Sequence, residues 1–228
     1  MKKNLKCQAI LFDLDGTLVD STLCVEQHWQ EWSKKHSLNA EEILKISHGR
    51  PTIDTIRLVA PHLNAELEAK RLDESQATNL RGVVAVPGAN ELLASLHSQN
   101  WAIVTSGNQD IATNRLLHVG LPFPECLITT DDVERYKPDP EGYLKAARYL
   151  KVKPKQCIVV EDAPVGLQAA RNAGMKAIAV ATTYSRSDLS LANICVPALS
   201  NISVKQTLAT ENQTHLVELE ILLSAYLE

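Results

Sequence analysis

No apolar run in this chain approaches the ~18 residues that suggest a membrane-spanning helix; segments such as QAILF and KAIAVA end after five or six residues. Positive charge is not in excess either. Lys and Arg number 23 against 27 Asp and Glu, a formal charge of -4. That balance argues against a nucleic-acid partner, since holding a phosphate backbone needs clustered basic residues. There is no C-x-x-C: Cys7, Cys24, Cys126, Cys157 and Cys195 are odd in number and widely spaced, which predicts reduced structural thiols in a non-oxidising compartment. The histidines form no H-x-H or H-E-x-x-H pattern, so zinc is not expected. The opening MKKNLKCQAILF has the look of a secretion signal until Asp13 and Asp15 interrupt it, leaving no apolar h-region or small-residue cleavage site. A cytoplasmic, monomeric protein is expected. What is present is ordinary globular composition, 45% hydrophobic and 22% charged over 228 residues, enough for a full core.

Short β-branched runs recur between helix-like segments: QAILF (8–12), WAIVT (101–105), CLIT (126–129), QCIVV (156–160), KAIAVA (176–181) and NICV (193–196). Continuous apolar strands separated by helices predict a parallel sheet covered on both faces. Helices are predicted over 89–98, 109–119 and 165–172; Gly120 and Gly174 supply the left-handed stops of the last two. The fold class is therefore α/β, a doubly wound Rossmann-like parallel sheet. One interval breaks the alternation. Residues 13–100 separate the first two strands of that sheet and read mostly as helices, with Val25, Trp29 and Trp32 on one face and Asn39 placed as an N-cap. The tryptophans read as core packing. The expected organisation is a core of residues 1–19 and 83–228, interrupted by a helical domain at 20–82 whose two connections permit closure over a cleft. The segment from His215 to Tyr226 is amphipathic and predicts a further helix.

Chemistry-bearing residues gather at the predicted strand ends. The first strand runs into FDLDGTLVDS (12–21), where Asp13 and Asp15 stand one residue apart before a turn at Gly16. The second ends in Thr105-Ser106-Gly107-Asn108, another in Glu161-Asp162-Ala163-Pro164, and Lys137 sits in YKPDP ahead of a helix start. Each alone reads as a polar turn, a solvated charge or a cap. In a doubly wound sheet, however, ligands sit outside the carboxyl ends of the strands, so these groups converge on one rim.

The ordered strings DLDGTLVDS, T-S-G, KPDP and VVEDAPVGL resemble the four motifs of the haloacid-dehalogenase-like phosphatases, over nearly the whole chain. The inserted helices match the cap of the subfamily that carries it after the first motif. HGRPTIDTI (48–56) and VPGA (86–89) resemble small sugar phosphatases acting on 2-deoxyglucose 6-phosphate, hexitol phosphates or glycerol 3-phosphate. The resemblance implies a Mg²⁺-dependent phosphatase of small phosphate monoesters. Asp13 would be the nucleophile that becomes an aspartyl-phosphate, and Asp15 the general acid and base. Thr105 and Ser106 would hold phosphate oxygens, and Lys137 would offset negative charge. Asp13, the Asp15 backbone carbonyl and Asp162 would hold Mg²⁺, with Glu161 supporting them. Tyr136 departs from the pattern, standing where many relatives have a small residue. In the cap loop, His48, Gly49 and Arg50 suit contact with a polar phosphorylated substrate.

Three alternatives compete. A β-phosphoglucomutase-like mutase shares the core motifs, but its cap loop carries a phosphate-binding arginine where Thr52 aligns here, with Arg50 nearby as a substitute. A dehalogenase has no need for the acid at Asp15. A catalytically dead binding module would not keep every motif residue.

Overall fold

The computed structural model describes residues 2–209 and 215–223. The chain starts with β1 (Lys2–Cys7), β2 (Ala9–Phe12) and β3 (Val19–Asp20), followed by helices α1 (Thr22–Lys35), α2 (Ala40–Ser47), α3 (Thr52–Val59) and α4 (Ala65–Thr78). A short β4 (Val84–Ala85) leads to α5 (Ala89–Ala94), β5 (Trp101–Val104), α6 (Gln109–Val119) and β6 (Leu127–Ile128). Then come α7 (Glu141–Tyr149), β7 (Cys157–Glu161), α8 (Pro164–Asn172), β8 (Lys176–Val180) and β9 (Ile194–Val196). The last described strands are β10 (Ile202–Ala209) and β11 (His215–Leu222).

Among the described residues, β6-β5-β2-β7-β8-β9 form one sheet in that order, every neighbouring pair parallel. This is the doubly wound α/β sheet that the apolar runs predict. Its strand order reverses at β2, which has β5 on one side and β7 on the other, and that reversal opens a crevice at the carboxyl ends. β2 has no exposed face. Ile10 and Phe12 join one core with Leu92 of α5 and Leu116 of α6, while Ala9 and Leu11 join another with Tyr143 of α7 and Leu167 of α8. Burial on both sides is why the strand reads as an unbroken apolar run.

Helices α1–α4 pack around a cluster of their own, including Trp29, Trp32, Ile43, Ile56 and Leu72. The two indoles meet edge to face at 5.5 Å, and the Trp32 ring N–H donates to Glu68 Oε2 at 3.0 Å. Asn39 and Asn64 cap α2 and α4 by accepting from the Glu41 and Leu67 amides, which satisfies donors the helix starts leave free. The chain enters this helical layer beside β3 and leaves it beside β4. Those two segments pair antiparallel, Val19 with Ala85 and Asp20 with Val84.

The end of the chain corrects the sequence reading. His215–Leu222 is a strand, not a helix, and pairs antiparallel with both β1 and β10. Val217, Leu219 and Ile221 recur with period two and are fully buried, the spacing of a half-buried strand. Leu216 before them and Leu222 and Leu223 after them add further apolar positions, which makes a helical face equally plausible from the pattern. Residues 224–226 of that expected helix lie outside the described residues. All five cysteines are free and four are buried. Burial pushes the Cys7 and Cys157 thiols up to about 12 and Cys126 up to about 11, so they behave as small apolar side chains.

Candidate active site

Asp13 extends β2 by one rung, its N–H donating to the Val160 carbonyl at 2.9 Å. The chain then turns back on itself: Leu18 N–H donates to Leu14 O at 2.8 Å and Gly16 N–H to Val19 O at 2.7 Å. Gly16 has φ +84°, and a Cβ there would fall on the Asp162 carboxylate and the Thr183 hydroxyl. Dihedral and space both demand glycine at this point. The turn carries Asp13 and Asp15 onto the rim beside the end of β7.

Behind Asp13 stands a buried charge cluster. Lys137 Nζ donates to Asp13 Oδ1 at 2.5 Å, Glu161 Oε1 at 2.8 Å and the Val104 carbonyl at 3.1 Å, three acceptors for the three ammonium protons. Burial works against that charge, but Asp13 and Glu161 overcome it and hold the ammonium well above its ordinary range. Glu161 is fully used as well. Oε1 also accepts from Tyr143 Oη at 3.2 Å, and Oε2 accepts from the Asp162 and Ala163 amides at 2.8 Å each. Lys137 lies 5.2 Å from the Tyr143 ring centre, so the aromatic face adds a further favourable contact.

The cluster is short of positive charge. Oxygens of Asp13, Glu161 and Asp162 all lie within 4.8 Å of one another, with a single ammonium among them. Burial drives the Asp13 carboxyl well above its ordinary range; Lys137 pulls it back, while Glu161 and Asp162 push it up further. Asp162 is pushed up to about 8, by burial first and by the Glu161 carboxylate second. It accepts from Thr17 Oγ1 at 3.4 Å. An all-oxygen donor set with excess negative charge fits a hard divalent cation. Because Glu161 is saturated by its own partners, Asp13 and Asp162 are the side chains left to face one.

Opposite, the sequence-predicted cap residues come into place. His48, Gly49 and Arg50 join α2 to α3, and with Asp13, Asp15, Thr105 and Ser106 they line one cleft. Gly49 has φ +77°, and a Cβ there would crowd Ala163 and Val165, so the helical layer meets the core at near backbone contact. Ser106 Oγ donates to Gly49 O at 2.9 Å, Tyr184 Oη to His48 O at 3.4 Å, and the His48 ring meets Tyr184 edge to face. Burial lowers the His48 pKa, which favours a neutral ring. Thr105 Oγ1 accepts from Gly107 N–H at 3.1 Å, closing the turn after β5. Lys137, Glu161 and Asp162 do not line the cleft; they back it. Thr52 lines it, with its hydroxyl given to Asp73 Oδ1 at 2.5 Å.

Sequence reasoning missed several members. Arg115 and Gln76 line the cleft, and Arg115 Nη1 stands 2.5 Å from Asp15 Oδ1. An arginine and a glutamine inside helices carry no local signal. Ser21, which donates to Asp15 Oδ1 at 2.7 Å, closes the string 12–21 and was within reach. Trp29 both packs in the helical layer and lines the cleft.

Comparison with known proteins agrees with this architecture. Residues 10–180 match the family described as haloacid dehalogenase-like hydrolase. The chain is 40% identical to hexitol phosphatase A of Escherichia coli (strain K12), covering 88% of this chain and 95% of the relative. It is 36% identical to glycerol-1-phosphate phosphohydrolase 2 of Saccharomyces cerevisiae, covering 79% and 77% respectively. Among solved structures, the β-phosphoglucomutase of Clostridium difficile superposes with a TM-score of 0.72 at 23% identity, over 85% of this chain and 92% of that one; at that identity the likeness concerns the fold.

Proposed function

The chain belongs to the haloacid dehalogenase-like hydrolases, and on that premise we propose that it is a Mg²⁺-dependent phosphatase of small sugar or polyol phosphates. The observation that carries the reading is the pairing of Asp13 with Lys137 at 2.5 Å, beneath a cleft that Asp15 also lines. A carboxylate approaching a phosphate dianion needs fixed positive charge beside it, and Lys137 supplies that charge already desolvated. The hexitol and glycerol phosphates in the names of the relatives support the substrate class, as does a cleft of hydroxyls, amides and guanidinium groups.

In this reading an Asp13 oxygen attacks phosphorus while Asp15 gives its proton to the departing alcohol oxygen. Asp15, now ionised, takes a proton from water, and the resulting hydroxide attacks phosphorus to release phosphate and restore Asp13. Thr105 and Ser106 hold non-bridging oxygens. Asp13, the Asp15 backbone carbonyl and Asp162 would hold Mg²⁺, which when bound neutralises charge on the phosphoryl oxygens; Glu161 fixes Lys137 and the amides around Asp162. Residues 20–82 act as the cap over the core of 1–19 and 83–228. His48, Gly49 and Arg50 contact the non-reacting part of the substrate and set specificity. We place the enzyme in the cytoplasm as a monomer.

The test is release of inorganic phosphate from a panel of sugar, polyol and nucleotide monophosphates, with and without Mg²⁺ and with a bisphosphate activator. Hydrolysis of polyol or hexose phosphates only in the presence of Mg²⁺ is the expected result. Bisphosphate-dependent conversion of a sugar 1-phosphate without phosphate release would replace this reading by the mutase one. That alternative is not favoured. The relatives at 40% and 36% identity are named as a phosphatase and a phosphohydrolase, and Thr52 gives its hydroxyl to Asp73.

A second expectation concerns the cation. Asp162→Ala should raise the Mg²⁺ concentration for half-maximal rate by at least about tenfold. Ca²⁺ should support the reaction poorly, because its larger and looser shell positions the phosphoryl group badly. Full activity of the wild type in excess chelator would overturn the assignment.

A further inference from the structure

Arg115 is the least expected residue of the cleft. Its face of α6 otherwise packs Ile111, Ala112 and Leu116, and its side chain is 3% exposed. A guanidinium there loses its hydration and must recover it through specific partners. Its Nε has no hydrogen-bond partner among the described residues, while the two terminal nitrogens reach partners in different layers. Nη1 pairs with Asp15 Oδ1 at 2.5 Å in the core, and Nη2 donates to Gln76 Oε1 at 3.1 Å near the end of α4. The neighbouring residue repeats the cross-layer link, with Asn114 Nδ2 donating to Ala77 O at 3.0 Å. On the other side of the carboxylate, Ser21 holds the same Asp15 oxygen and directly follows β3. The clamp therefore sits at the foot of the paired connections β3 and β4.

We propose that Arg115 is a positioning residue that holds the Asp15 carboxylate in line for proton transfer while α4 is docked on α6, so that alignment of the proton donor depends on where the helical layer sits. The inference rests on the reading of Asp15 as general acid and base. A planar guanidinium suits the task because its fork holds two acceptors in fixed relation, which a lysine ammonium on a flexible stem does not. If α4 lifts, Gln76 leaves the fork, and the guanidinium that pairs with Asp15 loses the acceptor that fixes its other terminal nitrogen.

The test measures kcat and KM separately for Arg115→Lys, Arg115→Met, Gln76→Leu, the double variant Arg115→Met/Gln76→Leu and Asp15→Asn. Each is assayed on an alkyl phosphate such as glycerol phosphate and on p-nitrophenyl phosphate, whose leaving group departs without protonation. Both Arg115 variants should lose about 10- to 100-fold in kcat/KM on the alkyl ester, the scale of a small misplacement of a reacting group; kcat/KM ends at departure of the leaving group and so excludes the later step in which Asp15 activates water. The loss in kcat/KM on the nitrophenyl ester should be much smaller. Gln76→Leu should show the same split at smaller size, and adding it to Arg115→Met should cost nothing further. Equal losses in kcat/KM on both esters, wild-type kcat/KM for Arg115→Lys on the alkyl ester, or additive losses in the double variant overturn the inference. If Asp15→Asn shows no dependence on leaving group, the catalytic reading of Asp15 itself fails; if it does and the Arg115 variants do not, only the positioning role fails. Should the Arg115 variants not fold, Gln76→Leu decides: a split loss supports the role, and a uniform loss or none removes it.

Discussion

Asp13→Asn should abolish turnover, with phosphate release falling by at least about 10⁴-fold and no phosphorylated protein trapped from any substrate. The amide keeps the size and shape of the carboxylate but lacks its nucleophilic oxygen. The fold should not suffer. Asp13 is buried beside Glu161 and Asp162 at the base of the cleft, and its carboxyl is driven upward by that burial and those neighbours, so a neutral group removes a repulsion. The amide oxygen can still accept from Lys137, which keeps Glu161 as its charged partner. Thermal unfolding should occur at an unchanged or slightly higher temperature. Residual hydrolysis within tenfold of wild type, in a preparation free of deamidation, would remove Asp13 from the role of nucleophile.

Lys137→Met should damage both chemistry and fold, because one ammonium serves two buried carboxylates. Its loss leaves Asp13 and Glu161 without their cation in a site that excludes water. Breaking a buried pair from one side costs about 3–5 kcal/mol, or roughly 6–20 °C in Tm for a chain of this size. Activity should fall by at least about 10²–10³-fold, the scale of losing a preorganised charge at the reacting group. The sign of the pH dependence distinguishes a charge effect from a packing effect. A carboxyl whose folded pKa lies above its unfolded value carries no penalty below the unfolded value and its full penalty above the folded one. Burial raises Asp13 even with Lys137 present, and Asp162 is held at about 8; Lys137 lowers both, so the variant raises them further. Below the wild-type folded values the carboxyls are protonated in both proteins, so the stability deficit relative to wild type should grow as pH rises through about 8, the folded value of Asp162, toward the higher value of the variant. Urea unfolding at several pH values checks it. A deficit that is constant over that rise would mean that lost packing, not unpaired charge, is responsible.

The strands and most helices were legible because local pattern and burial point the same way. β2, β5, β7 and β8 are flanked on both faces, so they are apolar apart from the terminal Glu161 and Lys176, and the strand ends and the turns after them hold the polar groups of the rim. The C-terminal strand β11 misleads for the converse reason. Its buried residues alternate, but apolar neighbours blur a period of two into a plausible period of 3.6, and only pairing with β1 and β10 decides between them. Ser21 was within reach as part of the string 12–21, whereas Arg115 and Gln76 were not. Each sits in a helix of ordinary composition, and what makes it part of the site is a partner far away in sequence.

Sequence alone determined that this chain builds a parallel α/β sheet with an inserted helical stretch, that Asp13, Asp15, Thr105, Glu161 and Asp162 come at the ends of its strands, and that Lys137 comes just ahead of a helix. Local rules suffice there, since strand period, glycine turns and helix stops act over a few residues. The tertiary structure decided what those rules do not reach. It put Lys137 against both Asp13 and Glu161, saturated Glu161 so that Asp13 and Asp162 remain to face a cation, and joined Asp15 through Arg115 to Gln76. Charge interactions act through space in a medium of low dielectric, so their partners are set by how the layers pack, which no window along the chain contains.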